Sequence, residues 1–560
     1  MIGDARNIEA GSRLECDICI VGGGAAGISI ALQFLRSDLR VILLEAGGPE
    51  QEPATQSLYE AEIADPDMHS PGDKYRARQF GGSTTIWGGR CQVLDEVDFE
   101  DRPWVTDHHW PFGRDEMLRW YPAANKLCEA GEVVYDARHV IPGGMRPTIK
   151  GFAPRQFNPD AIERFSCPTN FAARYQHRLA ASASVRVLLH ANCTEIVTAR
   201  DGASVEYLRV RTLQGGNFIV AAKQVILATG GLEIPRLLLA SNATHAAGIG
   251  NAYDLVGRNY MCHIAGTFGR IKLDVPKSDI WPGYDIAEDG TYCRRKMSLT
   301  AAAQRQRQTA SAFLRLHFPS IVDPSHGIAP LSALYLAKPF ISYEYGKRLA
   351  EEHPAGIGRW LRHALNIATD PVNMTAFAWN WITKRTLATR KFPSVIVNSP
   401  HNLFSLDYHA EQQPNADSRV TLGTETDALG MRRLRIDWRH SPLDIHTAKE
   451  TVHAIKEEFA RWGHGTLDYD TDMIPHDVLQ YGAYGGHHIG TARMGHSATT
   501  SVVDGDGRVH GMRNLYLTGS AVFATSSQAN PTLSIVALAA RLAEHVRIQA
   551  EARITLVAAQ

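Results

Sequence analysis

One turn near the N-terminus constrains this chain more than any other feature. Residues 16–21, Cys-Asp-Ile-Cys-Ile-Val, have the pattern of a buried strand. Gly22-Gly23-Gly24-Ala25-Ala26-Gly27 follows at once, and a helical pattern then runs through Ile28, Ala31, Leu32 and Leu35. A second strand, Val41-Ile42-Leu43-Leu44, ends in Glu45. Strand, glycine turn, helix, strand and acid in this order describe a dinucleotide-binding unit. Gly22 permits the tight turn, Gly24 lets the backbone approach a pyrophosphate, and Gly27 lets helix and strand pack closely. Ala25 and Ala26 stand at the helix N-terminus, where unpaired amides and the positive dipole end favour phosphate. Glu45 is placed to accept hydrogen bonds from ribose hydroxyls, with Ala46 beside it. This unit alone does not separate FAD from NAD.

Later segments add to it. Arg78-Gln79-Phe80-Gly81-Gly82-Ser83-Thr84-Thr85-Ile86-Trp87-Gly88-Gly89 is a second glycine-rich loop. Residues 224–231 read as a strand ending in an Ala228-Thr229-Gly230 turn, with a helix from Glu233 to Ala240. Residues 514–520 form another strand and turn, ending in Gly519-Ser520. Asn530-Pro531-Thr532-Leu533 then opens a helix, Asn530 having N-cap chemistry and Pro531 suiting the first helical position. A helix N-terminus there would support negative charge on a reduced flavin.

Together these residues resemble the glucose–methanol–choline (GMC) oxidoreductases from about Cys16 to about Val546. The matching segments fall in order: the dinucleotide motif ending in Leu43-Leu44-Glu45-Ala46-Gly47-Gly48, the loop Phe80 to Gly89, and the strand Val225 to Gly231. Next come Val256-Gly257-Arg258-Asn259 with His263, then His487-His488-Ile489-Gly490-Thr491-Ala492-Arg493-Met494-Gly495, then the helix at Asn530. The second loop looks more like that of the sugar-oxidising bacterial dehydrogenases and pyranose oxidases than like that of glucose or choline oxidases. The resemblance implies an α/β fold: a discontinuous Rossmann-like FAD-binding domain (1–125, 185–270 and 485–560) and an α+β substrate domain on an antiparallel sheet (126–184 and 271–484). It implies FAD contacts from the first glycine turn, Glu45 and Ala46, from Gly81, Gly82, Ser83, Trp87 and Gly88, from Ala228, Thr229 and Gly230, and from Gly519, Ser520, Asn530, Pro531 and Thr532. Some relatives bond FAD through a histidine just before the Gly-Gly of the second loop. Thr85, Ile86 and Trp87 stand there in this chain, so FAD is expected to be non-covalent. Cys262 and Gly519 each replace a common aspartate.

The implied chemistry is oxidation of a CH–OH group of a sugar, polyol or related alcohol. A base takes the hydroxyl proton, donors hold the oxygen, and flavin accepts the hydride. The resemblance places the base at His487, with Asn530 binding the oxygen because an amide cannot act as a base. His488 is the alternative, since neighbours on an extended segment point to opposite sides. His263 and Asp504 are expected to be structural. Glu411 and Gln413, alternate residues of a strand expected over 403–413, are candidate substrate contacts if that face meets the cavity rather than solvent. A second strand is expected over 419–422. Two readings stay open: a non-sugar natural-product alcohol as donor, or a lyase in which FAD is structural. The electron acceptor (O2, a quinone or another redox protein) is not specified.

The bulk properties agree with such an enzyme. The chain has 560 residues, 44% hydrophobic and 21% charged, with mean hydropathy −0.21 and formal net charge −1. That balance gives no reason to expect a nucleic-acid partner. Eight scattered cysteines show no disulfide or metal spacing, and Cys16 and Cys19 lie in a strand pattern, so no metal is expected. The polar start lacks an apolar signal core and no run approaches a membrane span, so a cytoplasmic protein is expected. Residues 331–395 align with nothing else. They hold Tyr343, Tyr345, Trp360, Trp379 and Trp381 among basic residues that include Lys347 and Arg348. Short helices are expected around Arg359 to Ile367 and Met374 to Leu387. A packed lid or oligomer contact is the favoured reading, and an interfacial membrane helix the other.

Overall fold

The computed structural model describes residues 1–338, 356–394, 397, 399 and 401–558. Tyr343, Tyr345, Lys347 and Arg348 lie outside the described residues. Buried, β-branched runs build the first sheet. Its eight strands run in the order Ile2–Asp4, Val185–Leu189, Val41–Leu44, Arg13–Val21, Asn217–Leu227, Val205–Arg211 and Asn192–Thr198, with Leu515–Leu517 paired to Asn217–Leu227. The strands that carry the glycine turns are mutually parallel, and Val205–Arg211 and Asn192–Thr198 are antiparallel. Helix Ala25–Gln33 and the C-terminal helix Thr532–Ala558 pack on each other beside this sheet. Cys16 and Cys19 are both buried in Arg13–Val21, and all eight cysteines are free.

The second sheet is antiparallel and has seven strands. Gly465–Asp468, Met261–Leu273, Leu403–Glu411, Ala312–His317, Met297–Leu299 and Phe157–Asn158 follow in order, and Tyr484–Ile489 pairs with Met261–Leu273. Its outer face is covered by helix Pro442–Trp462. That helix starts with a capping box at Ser441 and Asp444, has Pro at its first turn and stops at Gly463 in the left-handed region. Its Ala448, Val452, Ile455 and Phe459 join Ile264, Phe268, Leu406 and Leu314 of the sheet in one core.

The inserted segment is helical close to where the sequence placed it. Ile357–Thr369 and Pro371–Trp381 are helices, and a π-type turn Ile382–Thr386 follows. Among the described residues, no helix is long and apolar enough to cross a membrane.

Candidate active site

A cavity of about 820 Å³ is lined by the ends of both sheets. At one end the first glycine turn shapes its wall. Gly22 has φ +106°, and a Cβ there would sit 2.7 Å from the Ala228 carbonyl oxygen. A Cβ on Gly27 would come 1.8 Å from the Gly22 carbonyl, so helix Ala25–Gln33 can lie on its strand only with glycine there. The Gly81 amide donates to the Gly23 carbonyl (2.8 Å), which docks the second loop onto the first turn. Glu45 accepts the Gly23 amide at Oε2 and the Gly47 amide at Oε1, both at 2.7 Å. Burial raises its carboxyl above the usual range, and those amides oppose the rise.

Of the residues expected to hold a cofactor, Gly22, Gly24, Ala25, Ala26, Glu45, Ala46, Gly82, Ser83, Trp87, Gly88, Ala228, Thr229, Gly230, Gly519, Ser520, Asn530, Pro531 and Thr532 all line the cavity. Gly27 and Gly81 do not, and act instead through the close packing just described. Thr229 Oγ1 and Asn530 Oδ1 are buried on this wall without a hydrogen-bond partner. A glycine cradle, two helix N-termini and orphaned polar atoms along one continuous cavity fit an FAD-sized ligand.

Asn530 does not cap its helix as the sequence suggested. The helix begins at Thr532, and the Pro531 carbonyl accepts the Ile535 amide, so Asn530 lies one residue too early. Its amide is used on His487 instead, with Asn530 Nδ2 3.2 Å from His487 Nε2.

Three histidines from separate strands meet there. His263 Nδ1 lies 2.7 Å from His487 Nδ1, and His263 Nε2 lies 3.0 Å from the Ser527 carbonyl oxygen. A carbonyl only accepts, so His263 carries its proton on Nε2 and offers a bare Nδ1. His487 must then donate from Nδ1, which leaves its Nε2 lone pair facing Asn530 and the cavity. Burial pushes His263 down to about 4. Burial, with added repulsion from His263 and Arg90, pushes His487 well below the ordinary histidine range. Both rings are therefore neutral at neutral pH. His409 packs against His263 with ring centroids 4.4 Å apart, and its Nδ1 lies 3.1 Å from the Gln528 carbonyl. Its Nε2 is buried and unpartnered. The three rings offer nitrogens within 4.8 Å of one another, a spacing a metal could use. The carbonyls of Ser527 and Gln528 and the Asn530 amide engage one nitrogen of each ring, in a proton-ordered arrangement that leaves His409 Nε2 bare.

His488 is turned otherwise. Its Nδ1 lies 2.6 Å from Tyr260 Oη, which also contacts His69 Nε2 (2.8 Å) and Cys262 Sγ (3.3 Å). His263, expected to be structural, touches the ring of His487 directly. Asp504 closes a surface turn by accepting the amides of Asp506 and Arg508.

Glu411 and Gln413 are not cavity residues. The strand ends at Glu411, so the alternation that would align the two stops there. Glu411 is fully buried and takes a bidentate pair from Arg102 (2.6 and 2.9 Å). Gln413 has left the strand, and its Nε2 donates to the Val105 carbonyl. The residues of that strand that do reach the cavity are Asp407 and His409, four and two positions before Glu411 on the same face. Sequence reasoning stopped one turn of the alternation too late. It also missed Arg315, whose guanidinium binds Glu163 (2.7 Å) and Asp407 (3.1 Å) at the cavity wall, and Arg294 and Tyr484 beside it. No local motif marks them, because each comes from a different strand.

The family models match on both sides of this geometry. The model described as FAD dependent oxidoreductase matches residues 17–296, and that described as GMC oxidoreductase matches residues 414–539. The chain belongs to the GMC oxidoreductases. It is therefore an FAD-dependent oxidoreductase. Among curated relatives, it is 22% identical to 2-methyl-1,2-propanediol dehydrogenase of Mycolicibacterium austroafricanum, over 95% of each chain. It is 25% identical to the fructose dehydrogenase large subunit of Gluconobacter japonicus, over 95% of this chain and 98% of the relative. Among solved structures, pyridoxine 4-oxidase from Mesorbium loti superposes with a TM-score of 0.53 at 18% identity, covering 95% of this chain and 99% of that one. That likeness supports the fold.

Proposed function

We propose that this GMC oxidoreductase oxidises an alcohol carbon of a hydroxyl-rich donor, a sugar or polyol, with His487 as base and Asn530 as oxygen ligand. The observation that carries the reading is the His487 Nε2–Asn530 Nδ2 pair at the cavity wall, with His263 fixing the histidine tautomer. Bound FAD supplies the hydride acceptor. The glycine turn, Glu45, Thr229 and the start of the C-terminal helix would hold it, without a covalent bond because no histidine stands among Thr85, Ile86 and Trp87. His487 Nε2 takes the hydroxyl proton, which a neutral imidazole does well near neutral pH. The Asn530 Nδ2–H then donates to the oxygen while charge builds on it. Arg294, Arg315, Asp407 and the free Nε2 of His409 give that part of the cavity the donors and acceptors a polyhydroxyl donor requires. Two relatives with full-length matches, named for a propanediol and for fructose, support the donor class. We assign the FAD-holding unit to residues 1–125, 185–270 and 485–560. Strand Met261–Leu273 crosses from it into the antiparallel sheet and carries His263.

The test is an anaerobic titration of the purified holoenzyme with sugars, polyols and apolar alcohols, following the flavin's visible band. Bleaching by sugars or polyols supports the reading. Bleaching by apolar alcohols alone replaces the donor class, and no bleaching by any compound removes the hydride-transfer role.

A further inference from the structure

Helix Ile357–Thr369 is amphipathic the wrong way round for a globular protein. Its apolar positions Ile357, Trp360, Leu361, Ala364 and Leu365 follow the spacing of one helix face. That face is exposed: Ile357 is 80%, Leu361 64% and Leu365 60% accessible. The side turned to the protein is polar. His363 is fully buried with Nδ1 3.0 Å from Ser332 Oγ, and Asn366 donates to the Pro324 carbonyl. The next helix and turn continue the pattern with Val372, Trp379 (68% accessible) and Leu387. Nine of the fifteen strongly exposed large apolar side chains among the described residues lie between Ile357 and Leu387. A monomeric protein rarely leaves so much apolar surface in one stretch without a partner for it.

Charge identifies the partner. From residue 356 to 394 the chain has six Lys and Arg and a single acid, Asp370, although the whole chain is near neutral. Exposed apolar side chains, tryptophans and a basic rim on short helices are what an anionic bilayer surface takes up: the apolar face enters the acyl boundary while Lys and Arg meet the headgroups. We propose that this helical insertion docks the enzyme peripherally on an anionic lipid membrane. Trp381, 41% accessible, and Arg385 also line the cavity. The cavity therefore reaches the surface at the edge of the docking face, where Phe318, Ile321 and Leu334 give it apolar walls. Docking would set that opening at the lipid boundary. The inference is independent of the alcohol the enzyme oxidises.

The experiment is co-sedimentation of the holoenzyme with vesicles of phosphatidylcholine alone and of phosphatidylcholine mixed with phosphatidylglycerol, together with quenching of tryptophan emission by brominated lipid. Two variants accompany the wild type: Leu361→Ser/Leu365→Ser/Trp379→Ser and Lys384→Glu/Lys391→Glu. None of these side chains lines the cavity, so flavin content, melting temperature and activity on a soluble donor should stay at wild-type values. The expected result is binding to the anionic vesicles, weakened by salt, and a loss of about tenfold or more in partitioning for each variant. A wild-type protein that stays in the supernatant at every lipid concentration overturns the proposal. So does a wild-type dimer in sedimentation equilibrium that the apolar variant converts to monomer without any vesicle binding, since a second copy would then cover the face.

Discussion

His263 offers the sharpest test of how the active site is ordered. Its Nδ1 accepts from His487 Nδ1 at 2.7 Å, and its own proton is fixed by the Ser527 carbonyl. Replacing it by leucine removes the acceptor and leaves a buried N–H on His487 with no partner. An unsatisfied buried donor costs about 1–3 kcal/mol. His487 can recover that energy only by abandoning the tautomer that keeps Nε2 bare, so the cost falls on proton abstraction. At 1.36 kcal/mol per decade, the rate constant for flavin reduction should fall roughly 5- to 150-fold. His263→Gln can present an amide oxygen to His487 Nδ1 and should recover most of the loss. The assay is anaerobic stopped-flow reduction at saturating donor, with flavin content and thermal stability measured on each variant. Wild-type reduction in His263→Leu would refute the reasoning. Equal losses in the Leu and Gln variants, both fully folded, would show that His263 only fills space.

Three further outcomes follow from the same structure. His487→Ala should retain FAD and lose about 10²- to 10⁴-fold in flavin reduction, whereas His488→Ala, whose ring is held by Tyr260, should lose far less; stopped-flow reduction checks the order. Because burial keeps His487 well below the ordinary histidine range, the base is already neutral at neutral pH, so a pH profile of flavin reduction should be flat through neutrality and fall only on the acid side of that range. Arg102→Ala strips the fully buried Glu411 of its bidentate partner, beside Asp98, itself pushed up to about 7 by burial and by Glu411; urea unfolding should show a loss of about 3–5 kcal/mol, and Arg102→Leu/Glu411→Leu should restore much of it.

The FAD end was legible because backbone builds it. A glycine turn, a helix N-terminus and an acid at the end of the next strand are tied together within one short stretch, so their spacing alone specifies the geometry. Gly22 and Gly27 stand where the close packing requires glycine, and Glu45 follows its strand at the cavity wall with its carboxylate on the Gly23 and Gly47 amides. The donor end was legible only in part. His487 and Asn530 came from resemblance. His409, Asp407, Arg315 and Arg294 come from three strands far apart in sequence, and nothing local links them. Glu411 misled for a physical reason. Alternation gives a face but not the position at which a strand leaves the cavity, and Arg102, 309 residues earlier, is what turns Glu411 into a buried ion pair.

The segment 526–530 explains why this donor end can be exact without a rigid motif of its own. Ser527 adopts φ +54°, a conformation a non-glycine residue holds only when its surroundings enforce it. Those surroundings are present: Ser527 Oγ donates to Asp98 (2.6 Å), Lys296 Nζ donates to Gln528 Oε1 (2.7 Å), and Gln528 Nε2 donates to Asp95 (2.6 Å). So anchored, the segment aims two successive carbonyls at His263 and His409, and places Asn530 against His487. The histidine tautomers are thus set from outside the histidine cluster, by the hydrogen bonds of Asp95, Asp98 and Lys296. Substitution at Asp98 should therefore disturb the ordering of His263 and His487 although its side chain never touches either ring.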